Sequence, residues 1–167
     1  MTARSHRTAS ALAALGRPIR DFPNLIHLAP AVTHPDARLN DVVKALSRNP
    51  SARCVFVTDA DERVLGLISE QSLDVDLLTQ VLPEPVWSQI REWDTSELMR
   101  AVHAGSRTAR DMMKRVECLG LDQPLRDALA IMSHRKDSLV PVVDDQGRLL
   151  GYLTLFETLA GLQGDPP

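Results

Sequence analysis

The chain has 167 residues, of which 44% are hydrophobic and 25% are charged, and its formal net charge is −3. These values are typical of a globular protein with room for one domain of two halves or for two small domains. The first 20 residues hold four arginines and no acidic residue, which leaves 15 basic against 22 acidic side chains in the remainder. Because phosphate binding needs a basic face, this acidic body argues against nucleic acid as the main partner.

The sequence also predicts a cytoplasmic protein without a membrane partner. No stretch approaches the roughly 20 consecutive apolar residues of a membrane span, and the apolar run Ala11–Leu15 is too short for a secretory signal. Cys54 and Cys118 lie far apart, and neither they nor the five histidines show metal-ligand spacing. We therefore expect two reduced thiols and no metal site.

In chain order, the pattern first predicts a basic segment over 1–18, disordered or forming a short helix, and an entry strand over Leu25–Val32. A helix follows, because hydrophobic residues recur at the spacing of one helical face, namely Leu39, Val42, Val43 and Leu46. Two hydrophobic runs, Ala52–Thr58 and Val64–Ser69, predict hairpin strands. A closing helix is predicted from Glu70 to Val81.

The second half repeats this order after an insert. Val116–Leu121 is a predicted entry strand, and a helix with a similar apolar face begins after Pro124. Val140–Val143 and Leu149–Leu153 are the predicted hairpin strands, and a last helix follows them. Between the strands, Asp144 to Gly147 has turn chemistry. Gly151, inside the return strand, indicates close approach by another backbone or a ligand.

The two hairpins match each other without a gap, from Val55–Ser69 to Val140–Thr154. Identical residues occupy six aligned pairs: Val55/Val140, Val57/Val142, Asp59/Asp144, Arg63/Arg148, Leu65/Leu150 and Gly66/Gly151. The match extends upstream to the two predicted helices after a slip of one residue. Self-similarity on this scale indicates two copies of one supersecondary unit.

This doubled pattern resembles a pair of CBS domains (cystathionine β-synthase domains), the arrangement called a Bateman module. The resemblance is carried in the second repeat by Asp111-Met112-Met113, Leu125-Arg126-Asp127-Ala128-Leu129, Pro141-Val142-Val143-Asp144 and Gly147-Arg148-Leu149-Leu150-Gly151. The first repeat is looser, with Phe56 at the position of Pro141. The resemblance implies an α+β fold in which two pseudo-symmetric repeats of the β-α-β-β-α type pack sheet to sheet.

The expected boundaries are a basic N-terminal segment (1–18), a first repeat (19–82), a helical insert (83–108), a second repeat (109–163) and a tail (164–167). Both tryptophans, Trp87 and Trp93, lie in the insert. They either pack the insert back onto the body or form a surface for a partner protein.

The resemblance further implies that adenosine-type ligands (AMP, ADP, ATP or S-adenosylmethionine) bind in clefts between the repeats. In the family, a Ser/Thr-x-x-Asp motif supplies the polar contacts: the acid accepts hydrogen bonds from the ribose hydroxyls, and the hydroxyl residue reaches a phosphate. The second repeat has Thr154 and Glu157 at these positions, with a longer acid. The first repeat has Ser69 and Ser72 and therefore lacks the carboxylate, so the second site is expected to be the more competent.

The predicted site also includes apolar wall residues and phosphate contacts. Candidate apolar walls are Val116, Cys118, Val140, Pro141 and Val142. Candidate phosphate contacts are Arg53, Arg135 and Lys136. A purely structural interpretation of the motif also exists, because a threonine followed three residues later by a glutamate can form a capping box at the start of a helix.

The functional prediction is a regulatory ligand-binding module, homodimeric, that transmits nucleotide binding to an unidentified effector protein. The alternative is a homodimeric interaction scaffold whose ligand sites are vestigial. An enzyme is not expected: the acidic pairs Asp144–Asp145 and Asp59–Asp61 fall in turns, where aspartate is favoured for backbone reasons. No Gly-x-Ser-x-Gly nucleophile motif is present, and no obligatory cofactor is implied.

Overall fold

The computed structural model describes residues 11–49, 52–69, 73, 107–135 and 138–163. The chain forms two compact units. The first is drawn from Met1–Pro30, Asp61–Val64 and Val116–Pro167, and the second from Ala31–Ala60 and Leu65–Arg115. Each unit contains one three-stranded sheet. The predicted α+β class with two repeats is confirmed.

The second unit is built on the first repeat. Its elements are β1 (Ala31–Thr33), α1 (Leu39–Ser47), β2 (Cys54–Thr58), β3 (Val64–Ser69) and the short α2 (Ala109–Met112). The sheet order is β1-β2-β3, and β1 runs parallel to β2. Parallel neighbours need a crossover, which α1 provides. The core of this unit includes Leu39, Val42, Val55, Val57, Ile68, Leu73 and Ala109.

The first unit contains the strands of the second repeat. Its elements are the 3₁₀ turns Ile19–Asp21 and Pro23–Leu25, β4 (Leu119–Gly120), α3 (Leu125–Arg135), β5 (Leu139–Val143), β6 (Leu149–Thr154) and α4 (Leu155–Gln163). Strand β5 is central, parallel to β4 and antiparallel to β6. The core includes Ile19, Leu25, Leu119, Leu125, Ala128, Met132, Val140, Val142 and Leu153.

Each unit takes its opening segment from the other repeat. Ile19 is fully buried in the core of the first unit, and its N–H donates to the carbonyl of Gln123 at 2.9 Å. In the second unit, Ala109 is fully buried, and its N–H donates to the carbonyl of Ala37 at 2.7 Å. The compact units therefore differ from the sequence repeats, because each unit combines the hairpin of one repeat with the opening segment of the other.

Two predicted entry strands differ from the structure. The predicted strand Leu25–Val32 is wrong in most of its length, because a 3₁₀ turn ends at Leu25 and β1 begins only at Ala31. Pro23 and Pro30 bound the intervening segment and have no N–H to donate to a ladder. Strand β4 is shorter than predicted, since its next pairing step would place Cys118 opposite Pro141, which also lacks a donor.

The remaining elements agree with the pattern where they are described. Helices α1, α3 and α4 and the strands of both hairpins lie where they were predicted. Residues 11–15 are helical, in keeping with the short-helix alternative for that part of the N-terminal segment. The predicted closing helix after β3, except Leu73, lies outside the described residues. So does the insert 83–108 as far as residue 106, with both tryptophans.

The turn of the second hairpin is organised by Asp144. Its carboxylate accepts the backbone N–H groups of Gln146 at 2.8 Å and Arg148 at 2.9 Å, and the Arg148 Nε at 2.8 Å. The backbone hydrogen bond from Arg148 is the largest cause that holds the pKa of Asp144 below its ordinary value. Gly147 has φ +79°, and Glu62, at the aligned position of the first hairpin, has φ 64°. Asp144 thus has a structural task in the turn.

Candidate ligand-binding site

The candidate site is built where the opening segment lies along the free edge of β6. The N–H of His27 donates to the carbonyl of Tyr152 at 2.9 Å, and the N–H of Tyr152 donates to the carbonyl of His27 at 3.2 Å. Tyr152 therefore directs both of its backbone groups away from β5. Pro141, its antiparallel neighbour on β5, needs no N–H at this position. The proline of the repeat and the bridge to His27 are thus compatible features of one sheet.

Gly151 makes this close approach possible. A Cβ atom at residue 151 would lie under 3.0 Å from the carbonyl oxygen of His27 and from the side chain of Ile26. The predicted close approach at Gly151 is confirmed, and the approaching group is the backbone of the opening segment. The same arrangement recurs in the second unit, where Leu67 and Lys114 exchange both backbone hydrogen bonds at 2.9 Å. A Cβ at Gly66 would lie 2.5 Å from the carbonyl oxygen of Lys114.

A polar cluster lies beside this bridge. Thr154 ends β6, and Glu157 lies in the first turn of α4. The hydroxyl of Thr154 donates to Glu157 Oε2 at 2.5 Å, and Nε2 of His27 donates to the same oxygen. The imidazole stacks on the ring of Tyr152, with centroids 4.7 Å apart and ring planes 14° apart. The side chains of His27 and Glu157 are 38% and 36% exposed, so solvent reaches the pair.

The carboxylate of Glu157 is held in its charged form. Desolvation raises its pKa, but the hydrogen bonds from His27 and Thr154, together with the charge of the imidazole, outweigh that effect and lower the pKa below its ordinary value. An ionised carboxylate only accepts hydrogen bonds. The site therefore offers a partly exposed anionic acceptor beside two aromatic rings, an arrangement suited to a ligand that carries hydroxyl donors.

The capping-box interpretation explains only part of this geometry. The N–H of Glu157 donates to the Thr154 hydroxyl at 3.4 Å, which is a long cap. A complete box exists at α2, where the backbone N–H of Thr108 donates to Asp111 Oδ2 at 2.8 Å and the Thr108 side chain accepts the backbone N–H of Asp111. In the described structure, the Glu157 carboxylate instead receives side-chain donors. Its position is therefore determined by the tertiary contact with His27 together with the Thr154 hydroxyl at the start of the helix.

The predicted wall residues fall into two groups. Val140 and Val142 belong to the apolar core of the first unit and are at most 1% exposed. Pro141 is also buried, but it lies directly opposite Tyr152, which places it on the other face of β5. Cys118 and Val116 precede β4 and are half-buried. Pro141 therefore shares a face of the sheet with Tyr152, whereas Val140 and Val142 do not.

Neither cysteine carries a reactive thiolate. Burial is the main cause that raises the pKa of Cys118 to about 11, with a smaller contribution from the charge of Glu117. Burial also raises the pKa of Cys54 to about 12, against a small lowering by Lys114. Both thiols are free and uncharged at neutral pH, so they act as small apolar groups.

Three other predicted site residues, Ser69, Arg53 and Arg135, lie in other segments of the chain than Glu157. Ser69 is half-buried at the end of β3 in the second unit, as part of a separate hairpin. Arg53 also belongs to that unit and is exposed. Nε of Arg135 lies 3.5 Å from Glu117 in an exposed ion pair. Ser72 and Lys136 lie outside the described residues.

Two residues of the cluster, His27 and Tyr152, were missed by sequence reasoning. His27 is 130 positions from Glu157, in a segment that was predicted as strand. The sequence signal that could have led to His27 is Gly151. It predicted the close approach of another group but did not identify that group. Within the ranges that the structure covers, no group of three or more His, Cys, Asp or Glu residues suits a metal ion. None of the helices described there could cross a bilayer.

Comparison with known proteins identifies the family. The CBS domain family matches residues 20–74 and 109–163, and the chain therefore belongs to this family and carries two CBS domains. An uncharacterized protein of Methanocaldococcus jannaschii is 27% identical over 145 residues, which cover 80% of this chain and 86% of that protein.

Solved structures show the same fold. A CBS domain-containing protein of Thermotoga maritima is 25% identical with a TM-score of 0.63, covering 87% of this chain and 94% of its own. CBSX2 of Arabidopsis thaliana, solved in complex with AMP, is 21% identical with a TM-score of 0.60, covering 89% of this chain and 98% of its own. These two solved structures thus share the fold of this chain.

Proposed function

We propose that the protein is a regulatory module that binds an adenosine-type nucleotide at Thr154 and Glu157 and transmits this binding to a partner protein. The observation that carries the proposal is the Glu157 carboxylate. It is charged, partly exposed and oriented by the Thr154 hydroxyl at the start of α4. The AMP complex of the related CBSX2 supports the ligand class.

The chemistry of the site fits the ribose of such a ligand. Neighbouring sugar hydroxyls are two donors at a fixed separation, and a carboxylate has two oxygens that accept them with charge-assisted hydrogen bonds. The proposed role is regulatory rather than catalytic. Asp144, a member of the acidic pair considered for catalysis, accepts backbone hydrogen bonds within its own turn.

Thermal unfolding tests the ligand class. We expect one of AMP, ADP, ATP or S-adenosylmethionine, at millimolar concentration, to raise the melting temperature of the wild-type protein. At a hundred times its Kd, a ligand stabilises the native state by about 2.7 kcal/mol, which corresponds to about 5 to 10 °C for a chain of this size. CMP is the matched control, because it keeps the ribose and phosphate but changes the base. Equal shifts with CMP, or no shift with any adenosine compound, would contradict the proposal.

We also propose that the module is a homodimer and that α4 lies in the dimer interface. Phe156 and Leu159 are 79% and 40% exposed, and a spacing of three residues places them on one side of the helix. Large apolar side chains exposed together are typical of interaction surfaces. A two-fold contact between copies would bury both pairs at once.

The double substitution Phe156→Ser/Leu159→Ser is expected to convert a dimer into a monomer, because it removes apolar area from both sides of a two-fold interface. Analytical ultracentrifugation measures the change against the chain mass of 18.4 kDa. Leu12→Ser is the control, since Leu12 is 64% exposed on the N-terminal helical segment and its loss should leave the mass unchanged. A wild-type protein that sediments as a monomer at micromolar concentration refutes the dimer.

A further inference from the structure

A histidine occupies the acceptor that the proposed nucleotide would use. We propose that His27 competes with the ligand for the Glu157 carboxylate, so that the charged imidazole closes the site and the uncharged imidazole opens it. This inference rests on the proposed nucleotide site at Glu157 and adds its regulation by protons. Its basis is the hydrogen bond from His27 Nε2 to Glu157 Oε2, the oxygen that also receives the Thr154 hydroxyl.

The geometry makes this competition direct. A diol that donates to both oxygens of a carboxylate must reach the outer edge of that carboxylate. The imidazole already donates to one of these oxygens. The backbone of His27 is fixed by its two hydrogen bonds to Tyr152, so the opening segment need not leave the sheet when the site opens. Only the imidazole has to turn away from Glu157. Its stacking partner, the ring of Tyr152, is held in β6 at 7% exposure.

The two segments that hold this pair carry no Asp, Glu, Lys or Arg other than Glu157. Residues 22–33, which contain His27, include no Asp, Glu, Lys or Arg, and Glu157 is the one such residue in 149–163. Among the described residues, the titratable groups in contact with the imidazole are the Glu157 carboxylate from α4 and Tyr152 from β6, and the turn Pro23–Leu25 carries no titratable side chain. Histidine is the side chain that ordinarily changes charge between about pH 5 and pH 8. Glu157 is thus the charged partner of His27 within the described part of the structure.

The proposed gate predicts that nucleotide affinity increases as the pH rises. Below the pH at which the imidazole loses its proton, the contact is an ion pair and holds the carboxylate. Above that pH, the contact is a neutral hydrogen bond, which is weaker. The nucleotide gains access as the pH rises. One charge-assisted hydrogen bond at a partly exposed site corresponds to about a tenfold change in apparent affinity.

The substitution that tests the gate is His27→Phe. Phenylalanine keeps a ring to stack on Tyr152 but cannot donate to Glu157. AMP affinity is measured by titration calorimetry on the full chain at about pH 6 and about pH 8. Because the AMP phosphate itself titrates near pH 6, the measured quantity is the ratio of wild-type to variant Kd at each pH.

We expect the wild-type protein to bind AMP about tenfold more weakly than His27→Phe at the lower pH, and within about threefold of it at the higher pH. His34→Phe is the matched control, because Nδ1 of His34 lies 3.7 Å from Asp36 in another exposed histidine–carboxylate pair. It should show wild-type affinity at both values.

The outcomes separate the gate from the nucleotide site. A ratio that does not change with pH, with AMP bound by both proteins, overturns the gate and leaves the proposed function in place. Failure of both proteins to bind AMP, ADP, ATP or S-adenosylmethionine at either pH overturns the proposed function and the gate with it. Weaker binding by His27→Phe at both values also overturns the gate, since His27 would then help to hold the ligand.

Discussion

Replacing Gly151 with alanine is expected to lower the free energy of unfolding by about 2 kcal/mol, because the new methyl group overpacks a closed backbone contact. The Cβ would lie under 3.0 Å from the His27 carbonyl oxygen and from Ile26. A backbone carbonyl that is fixed in a sheet bridge cannot move away cheaply. To accommodate the methyl group, the opening segment must separate from β6, which breaks the two hydrogen bonds between His27 and Tyr152.

Chemical denaturation measures this loss, and Gly120→Ala is the matched control in the same unit. A Cβ at Gly120 meets its first neighbour, the side-chain oxygen of Gln123, at 3.9 Å, which is an ordinary contact. Alanine there should change stability by less than about 1 kcal/mol. Equal stability of the two variants would show that the His27 bridge does not form in solution.

Replacing Glu157 with glutamine is expected to weaken nucleotide binding by about tenfold to a hundredfold, because hydrogen bonds to a charged acceptor are worth about 1.5 to 3 kcal/mol. Glutamine keeps the length of the side chain but loses the charge and one of the two acceptor oxygens. The stability of the free protein should change little, since the pair with His27 is solvent-exposed. Titration calorimetry with the nucleotide that gives the thermal shift measures the effect.

Glu117→Gln is the control for a general effect of removing negative charge. Glu117 lies in the same unit, is exposed, and pairs with Arg135 at 3.5 Å. Its substitution should leave nucleotide affinity within about twofold of wild type, because long-range interactions between exposed charges are screened. If Glu157→Gln binds the nucleotide as tightly as wild type, the ribose does not contact this carboxylate, and the proposed site is wrong.

The sequence pattern predicted the local structure well where each element depends on its own residues. The helical spacing of Leu39 and Val42 and the β-branched run at Val140 located a helix and a strand correctly. Asp144 and Gly147 located the turn, because an aspartate that accepts nearby N–H groups and a glycine with positive φ are local requirements. The repeat then located the same elements a second time.

Prediction was less successful where a segment depends on a distant partner. The opening segment around His27 has strand-like composition, but its prolines restrict it to a one-residue bridge with Tyr152. Strand β4 is short because of Pro141, a residue of another strand. Thr108 with Asp111 and Thr154 with Glu157 follow the same spacing pattern, yet only the first pair forms a complete capping box.

The sequence by itself determined the family, the two repeats, the hairpins and the position of the Thr154 and Glu157 motif, because these features are encoded in residues close together in the chain. Only the tertiary structure decided that the opening segments are exchanged between the repeats and that Gly151 faces His27. It alone showed that the Glu157 carboxylate is bound by an imidazole 130 positions away. The physical reason is that spacing patterns record which face of an element is buried. They do not record which distant backbone covers that face.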